Sequence, residues 1–424
     1  MRKLLAISLL LLLCGAFNVN AQDQKNPEIV ALIHENLHRA GVNTSPYEYH
    51  KGPETPVPAG YKPFYISHYG RHGSRSEWTR DNYASLLERW NKPAEDDNLT
   101  PEGEAARQRV ILLAKLHDGM NGRLTPRGAI EHRQIAARMY KKFPQVFRKG
   151  SRKVRALSSV APRCLVSMAA ATSELRALDP KLEMTWDSGE KIMLICSTED
   201  TKDIKQQVLA SLEEHKKAHV PDTAAFMARI YKDPSRARQS IGDPVALMQD
   251  TFDIAMVSGA FDLDDTLLRI YTEDDLYWYS QRIGMNLYLR QCNSREYGDK
   301  RMEPVQLLVD DIISKADAAI ATGDCAADLR YGHEYQLLAI SSRIGVKGVA
   351  ERLDTRSCQD WPAVLRTPFA CNLQMVLYRG RKGDVLVKFY LNEQEASLIT
   401  LEGGPYYRWE DVRESILRND VKYL

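Results

Sequence analysis

Three times along this chain a short strand-like run ends in a turn that carries arginine or histidine. The first follows Pro63-Phe64-Tyr65-Ile66 and reads His68-Tyr69-Gly70-Arg71-His72-Gly73-Ser74-Arg75. The second leads from Lys153-Val154-Arg155-Ala156-Leu157-Ser158-Ser159 through Val160-Ala161-Pro162-Arg163 into a small-residue helix, Cys164 to Leu178. In the third, Ala327-Asp328-Leu329-Arg330-Tyr331-Gly332-His333-Glu334 opens a helix from Tyr335 to Ile344. Helices laid on a mainly parallel sheet bring such junctions to one edge, where helix N-termini favour anions. The pattern predicts an α/β fold, a three-layer sandwich around a mainly parallel sheet.

Other segments fit around that frame. Leu99-Thr100-Pro101-Glu102-Gly103 and Leu124-Thr125-Pro126-Arg127-Gly128 each offer a capping Thr and a Pro suited to the first helical turn. Residues 199–326 read as mostly helical and charge-rich, an inserted cap between two pieces of an α/β domain at 22–198 and 327–424. Lys216, Lys217, Arg229, Lys232, Arg236 and Arg238 make part of that insertion basic, either as a solvated face or as cations lent to a polyanion. Near the end, Leu373 to Tyr378 and Val385 to Leu391 read as a hairpin around Gly380 and Gly383.

Residues 1–21 stand apart. Met1-Arg2-Lys3, an apolar run from Leu4 to Phe17 and the small residues before Ala21 predict a cleaved leader, hence a periplasmic or secreted protein. Leu11-Leu12-Leu13-Cys14 puts a Leu directly before the Cys, a poor fit to a lipid-anchoring box, and no other stretch approaches the length of a membrane span. Beyond the leader lie Cys164, Cys196, Cys292, Cys325, Cys358 and Cys371, read as buried thiols with one or two bridges. Their spacing does not suit zinc. A net charge of +2 over 424 residues gives no footprint for nucleic acid, so any polyanion must be met by a local cluster of bases.

The three junctions supply such a cluster. A phosphate monoester attacked without a metal needs fixed cations on its oxygens, a nucleophile in line and an acid for the leaving oxygen. Arg71, Arg75 and Arg163 can clamp the phosphate with their planar forks. His72 as a neutral imidazole can attack phosphorus, and His333 with Glu334 can supply a further phosphate donor and the acid. Gly70 and Gly73 would let the backbone turn sharply and approach the ligand.

On these residues the chain resembles the histidine phosphatase superfamily, in its branch of acid phosphatases and phytases. Arg71-His72-Gly73-Ser74-Arg75, the Ser158-to-Arg163 junction and Gly332-His333-Glu334 look like its three signatures, and Leu124-Thr125-Pro126-Arg127-Gly128 is similar to its Leu-Thr-x-x-Gly helix start. Ile270 to Leu276 and Val385 to Glu393 resemble segments of the multiple inositol polyphosphate phosphatases. The resemblance runs from about Tyr61 to Leu398. It implies a phosphohistidine at His72, phosphate binding by Arg71, Arg75, Arg163 and His333, and Glu334 as acid and then base. It further implies no metal or cofactor and a small phosphate ester, an inositol polyphosphate such as phytate first, as substrate. The chain departs at Glu77, where many members have Pro, and at Glu334. Acid phosphatases place Asp directly after the second histidine, and the inositol polyphosphate enzymes place Ala before their Glu.

Three other readings compete: a broad-specificity acid phosphatase of the same kind, a phosphate-binding module without turnover, and a Mg-dependent phosphatase. The last rests on Phe261-Asp262-Leu263-Asp264-Asp265-Thr266-Leu267, which resembles the haloacid dehalogenase nucleophile motif with Asp262 attacking. That chemistry needs a buried strand before the Asp, whereas Ser258 and Gly259 interrupt the run, so a helix start with acidic residues explains the string. His68 reads as structural, and His34, His38, His117, His132, His215 and His219 as surface or satisfied residues.

Overall fold

The computed structural model describes residues 25–77, 83–194 and 202–424. The expected leader, Cys14 and Cys196 lie outside them. At the centre is one mixed sheet formed by β1 (Lys62–Arg71), β2 (Lys153–Ser158), β3 (Glu183–Ser188), β4 (Ala327–Gly332), β5 (Asn372–Arg379), β6 (Val385–Leu391), β7 (Gln394–Ala396) and β8 (Tyr407–Arg408). Their order is β3-β2-β4-β1-β5-β6-β7, with β8 on β6. β3, β2, β4 and β1 run parallel, while β5 turns antiparallel to β1 and pairs β6 as the expected hairpin.

Strand alternation sends side chains to two apolar layers. Tyr65 and Tyr69 of β1 and Leu373, Met375 and Leu377 of β5 pack with Val305, Leu308, Leu337 and Ile340 of the helices Gly298–Thr322 and Glu334–Ile344. On the other face Ile66, Leu329, Val376 and Tyr378 meet Ala136, Met139, Met168 and Leu175 of Pro126–Lys142 and Pro162–Leu178. Two helix layers on one sheet make the three-layer α/β sandwich. Charges within the strands are paired: Arg330 donates through Nε to Asp311 at 3.1 Å and through Nη1 to Ser67 at 3.0 Å, and Asp328 accepts from Tyr65 at 2.7 Å.

No strand occurs among the described residues between β3 and β4. Phe226, Met248, Phe252, Tyr271 and Leu276 from that stretch form a helical body, and the earlier helices Ala84–Glu95 and Pro101–His117 complete it with Trp90, Val110 and Leu113. The long helix Gly298–Thr322 instead covers the sheet. Cys164, Cys292, Cys325, Cys358 and Cys371 are free, so the expected bridges do not form among the described cysteines. Each thiol sits in its own surroundings, as where Cys164 Sγ meets Gly332 O at 3.2 Å. Among the described residues no helix is long and apolar enough to cross a membrane.

Candidate active site

Because β1, β2 and β4 are parallel, their C-terminal ends lie together. Arg71 is in register with Gly332, and Ser158 with Tyr331. The residues that follow each strand therefore converge: His72 after β1, Arg163 on the helix after β2, and His333 with Glu334 after β4. They face a cavity of about 410 Å³ whose lining includes His72, Arg75, Arg163, His333 and Glu334.

His72 is pinned at both ends of its backbone, its N–H donating to Gly332 O at 2.9 Å and its carbonyl accepting from Ala370 N–H at 3.0 Å. Its Nδ1 lies 2.9 Å from the carbonyl of Gly73, which can only accept, so Nδ1 carries the proton and Nε2 keeps its lone pair. Burial pushes its pKa well below the usual histidine value, and Arg71 and Arg163 push it further the same way. The imidazole is neutral and oriented.

Arg71 is fully buried. Nη1 donates to the carbonyls of Thr367 at 3.0 Å, Pro368 at 3.2 Å and Asn43, and Nε lies 2.9 Å from Glu334 Oε2. Nη2 is buried with no hydrogen-bond partner among the described residues. The guanidiniums of Arg71 and Arg75 lie over the Phe369 ring at 4.9 and 5.9 Å, a contact that holds cations without neutralising them. Burial lowers the Arg75 pKa to about 10, which still leaves it charged at neutral pH.

Arg163 Nη2 donates to His333 Nδ1 at 3.2 Å, so the proton of that ring is on Nε2, which donates to Ser159 Oγ at 3.2 Å. Burial, then the charge of Arg163, holds His333 down to about 3. Gly332 is required here, since a Cβ on it would come within 2.0 Å of Tyr69 Oη, the hydroxyl that accepts the His333 N–H at 3.2 Å. For Glu334 burial, the largest single influence, favours the acid, but Arg71, the neighbouring His333, the residue's own backbone N–H and Arg75 together outweigh it and hold the carboxyl at about 2. Without a ligand the pair is ionic.

Every residue expected at the site is thus brought to one cavity or its wall. Several solved structures share this architecture, although no family model and no curated protein matches the sequence. A multiple inositol polyphosphate phosphatase from Bifidobacterium longum, crystallised with inositol hexasulfate, superposes with a TM-score of 0.69 at 15% identity, over 89% of this chain and 97% of that one. A phytase from D. castellii gives 0.63 at 14% identity, over 94% and 89%. One from Hafnia alvei gives 0.53 at 12% identity, over 86% and 98%. The chain has the histidine acid phosphatase fold.

Within that fold the remaining expectations sort themselves. Gly70 lies inside β1 rather than in a turn, and a Cβ there would meet His68 Nε2 at 2.8 Å. His68 and His132 are buried against the Tyr331 ring, at centroid distances of 5.6 and 5.5 Å, away from the cavity. Asp262 ends a short 3-10 turn, Ser258–Phe261, and pairs with Arg127, while Asp264 pairs with Arg109 at 2.5 Å. That string forms turns; the helix begins only at Glu273, capped by Thr272. Because no strand delivers Asp262, it lacks the setting the rival chemistry requires.

The basic residues 216–238 do not line the cavity, and Lys232 is paired with Asp97 at 2.7 Å. The helical body contributes instead through the end of the helix Glu273–Gln291, which brings Asn286 and Arg290 to the cavity. Arg290 Nε and Asn286 Oδ1 are buried with no hydrogen-bond partner among the described residues. Asn43, from the N-terminal segment, lines it as well. None of the three was legible beforehand; an arginine near the buried end of an aromatic-rich helix was the one available hint.

Proposed function

We propose that this chain is a phosphomonoesterase that works through a phosphohistidine on His72 and takes inositol polyphosphates. The observation that carries this reading is the His72 ring, with Nδ1 tied to Gly73 O and Nε2 left free beside a cavity bearing Arg75 and Arg163. A site built only to hold an anion needs no neutral, oriented imidazole among its cations.

The reaction runs in two displacements. Arg71, Arg75 and Arg163 bind the phosphoryl oxygens, and Nε2 of His72 forms a bond to phosphorus as the ester P–O bond breaks. The leaving oxygen takes the proton of Glu334. The resulting carboxylate then removes a proton from water, whose oxygen attacks phosphorus while the Nε2–P bond breaks. Substrate prepares Glu334 for its first role, because a phosphate dianion offsets the charge of Arg71 that keeps the carboxyl ionised in the empty site. Three guanidiniums carry the charge compensation, so the scheme asks for no metal.

The inositol assignment is supported by Arg290, a cation beyond the three-arginine clamp that lines the same cavity, and by the shared fold with enzymes of that substrate class. The leader-like pattern of residues 1–21, a basic start followed by an apolar run, supports work outside the cytoplasm. The test is phosphate release from inositol hexakisphosphate and from p-nitrophenyl phosphate, in excess EDTA. Both activities persist in the wild type and fall by about a thousand-fold or more in His72→Ala. Arg290→Ala raises KM for the hexakisphosphate about ten-fold and leaves the aryl substrate within about three-fold, as expected for one lost charge-assisted contact. Equal effects on both substrates would favour a broad-specificity phosphatase. Loss of activity in EDTA with His72→Ala unharmed would refute the scheme.

A further inference from the structure

We propose that Asn43 is the positioning residue of the donor carboxyl, an inference that rests on reading Glu334 as the donor. Glu334 opens its helix directly after His333, and its own backbone N–H is one contact of the carboxyl. Two groups from elsewhere hold it as well. Arg71 Nε lies 2.9 Å from Oε2, and Asn43 Nδ2 lies 3.4 Å from Oε1. The two carboxylate oxygens are therefore held from two sides, and Asn43 is tied to the same arginine because its own backbone carbonyl accepts from Arg71 Nη1.

The chain is built to present this side chain. Asn43 sits in the 3-10 segment Leu37–Thr44, directly after Val42, whose φ of 49° and ψ of −98° are unusual for a β-branched residue. That conformation is enforced: Val42 is buried, Thr44 Oγ1 donates to Gly41 O at 2.8 Å, and Ser45 Oγ donates to His38 O at 2.8 Å. Phe369 N–H donates to Ser45 O at 2.8 Å, which fastens the segment to the loop that also receives Arg71. Strain held in place beside a cavity is a sign of positioning.

The chemistry suits an amide. Arginine can only donate, so it supports the carboxylate alone. An amide donates through its NH2 to the carboxylate and, turned over, accepts through its oxygen from the carboxylic acid. Asn43 serves both forms that Glu334 must take in one turnover, including the acid form after phosphate has claimed the arginines.

The test compares kcat/KM on two monoesters that differ in their need for a proton: glycerol 2-phosphate, which leaves as an alkoxide, and p-nitrophenyl phosphate, whose phenolate leaves unaided. Asn43→Leu keeps the size, and the backbone carbonyl still meets Arg71. The expected result is a loss of about ten-fold or more on the alkyl ester and less than about two-fold on the aryl ester, with unchanged thermal unfolding. Glu334→Gln should show the same selectivity, larger. Equal losses on both esters in Asn43→Leu, or no loss on either, overturn the inference while Glu334→Gln remains selective. If Glu334→Gln shows no selectivity, the donor assignment falls and the role of Asn43 with it.

Discussion

His68, His72 and His132 are all buried and all shifted toward the neutral form, His68 and His132 down to about 3. What separates His72 is that its ring reaches the cavity, with Nδ1 held by Gly73 O, while the other two pack on Tyr331 away from it. Burial, with the charges of Arg71 and Arg163, keeps His72 neutral well below the usual histidine range. Glu334 behaves oppositely. Its carboxyl, held at about 2 in the empty site, gains protonated fraction about ten-fold for each unit that pH falls toward that value. After correction for the substrate's own ionisation, kcat/KM on glycerol 2-phosphate should rise as pH falls from 7 to 4, and the slope should disappear in Glu334→Gln. An unchanged slope in that variant would assign the proton to another group. At this scale Arg71, His72 and Arg75 were legible because they are neighbours in sequence. Asn43 and Glu334 are 291 residues apart, and no local pattern announces a contact of that range.

The two Leu-Thr-Pro-x-Gly helix starts show how one local signal serves two tertiary ends. Both threonines cap as expected, accepting from Gly103 N–H at 3.0 Å and Gly128 N–H at 3.3 Å. The glycines themselves are contact points. A Cβ on Gly128 would sit 2.3 Å from Ser74 O, in the loop that carries His72, and one on Gly73 would sit 2.4 Å from Gly128 O. A Cβ on Gly103 would sit 2.1 Å from Ile230 O, inside the helical body. Gly128→Ala and Gly103→Ala should each destabilise by about 1–3 kcal/mol in denaturant unfolding. Only Gly128→Ala should also lower kcat of the folded protein, by about ten-fold or more, because it displaces the nucleophile loop. Equal kcat in both variants would show that the loop tolerates the shift. Elements defined by their own residues were readable; the string at Asp262 was misread as a helix start because its Asp262, Asp264 and Asp265 instead serve a turn and surface ion pairs.

For the whole molecule, the parallel half of the sheet fixes where chemistry can happen, and the helical body closes that edge with Asn286 and Arg290. The α/β architecture followed from three strand-to-helix junctions, since few arrangements bring them together. That helices 84–95 and 101–117 join residues 226–279 in one apolar cluster was not visible in the sequence, because amphipathic helices do not specify which partner their apolar face will meet. A cavity that forms a covalent phosphohistidine can be caught in the act: the protein is mixed with p-nitrophenyl phosphate and quenched within milliseconds in alkali, and its peptides are mapped by mass spectrometry. The expected result is one phosphoryl group on the peptide that contains His72, stable in alkali, lost in acid and absent from His72→Ala. A phosphoryl group on another residue, or a His72→Ala protein that turns over as fast as the wild type, would contradict it.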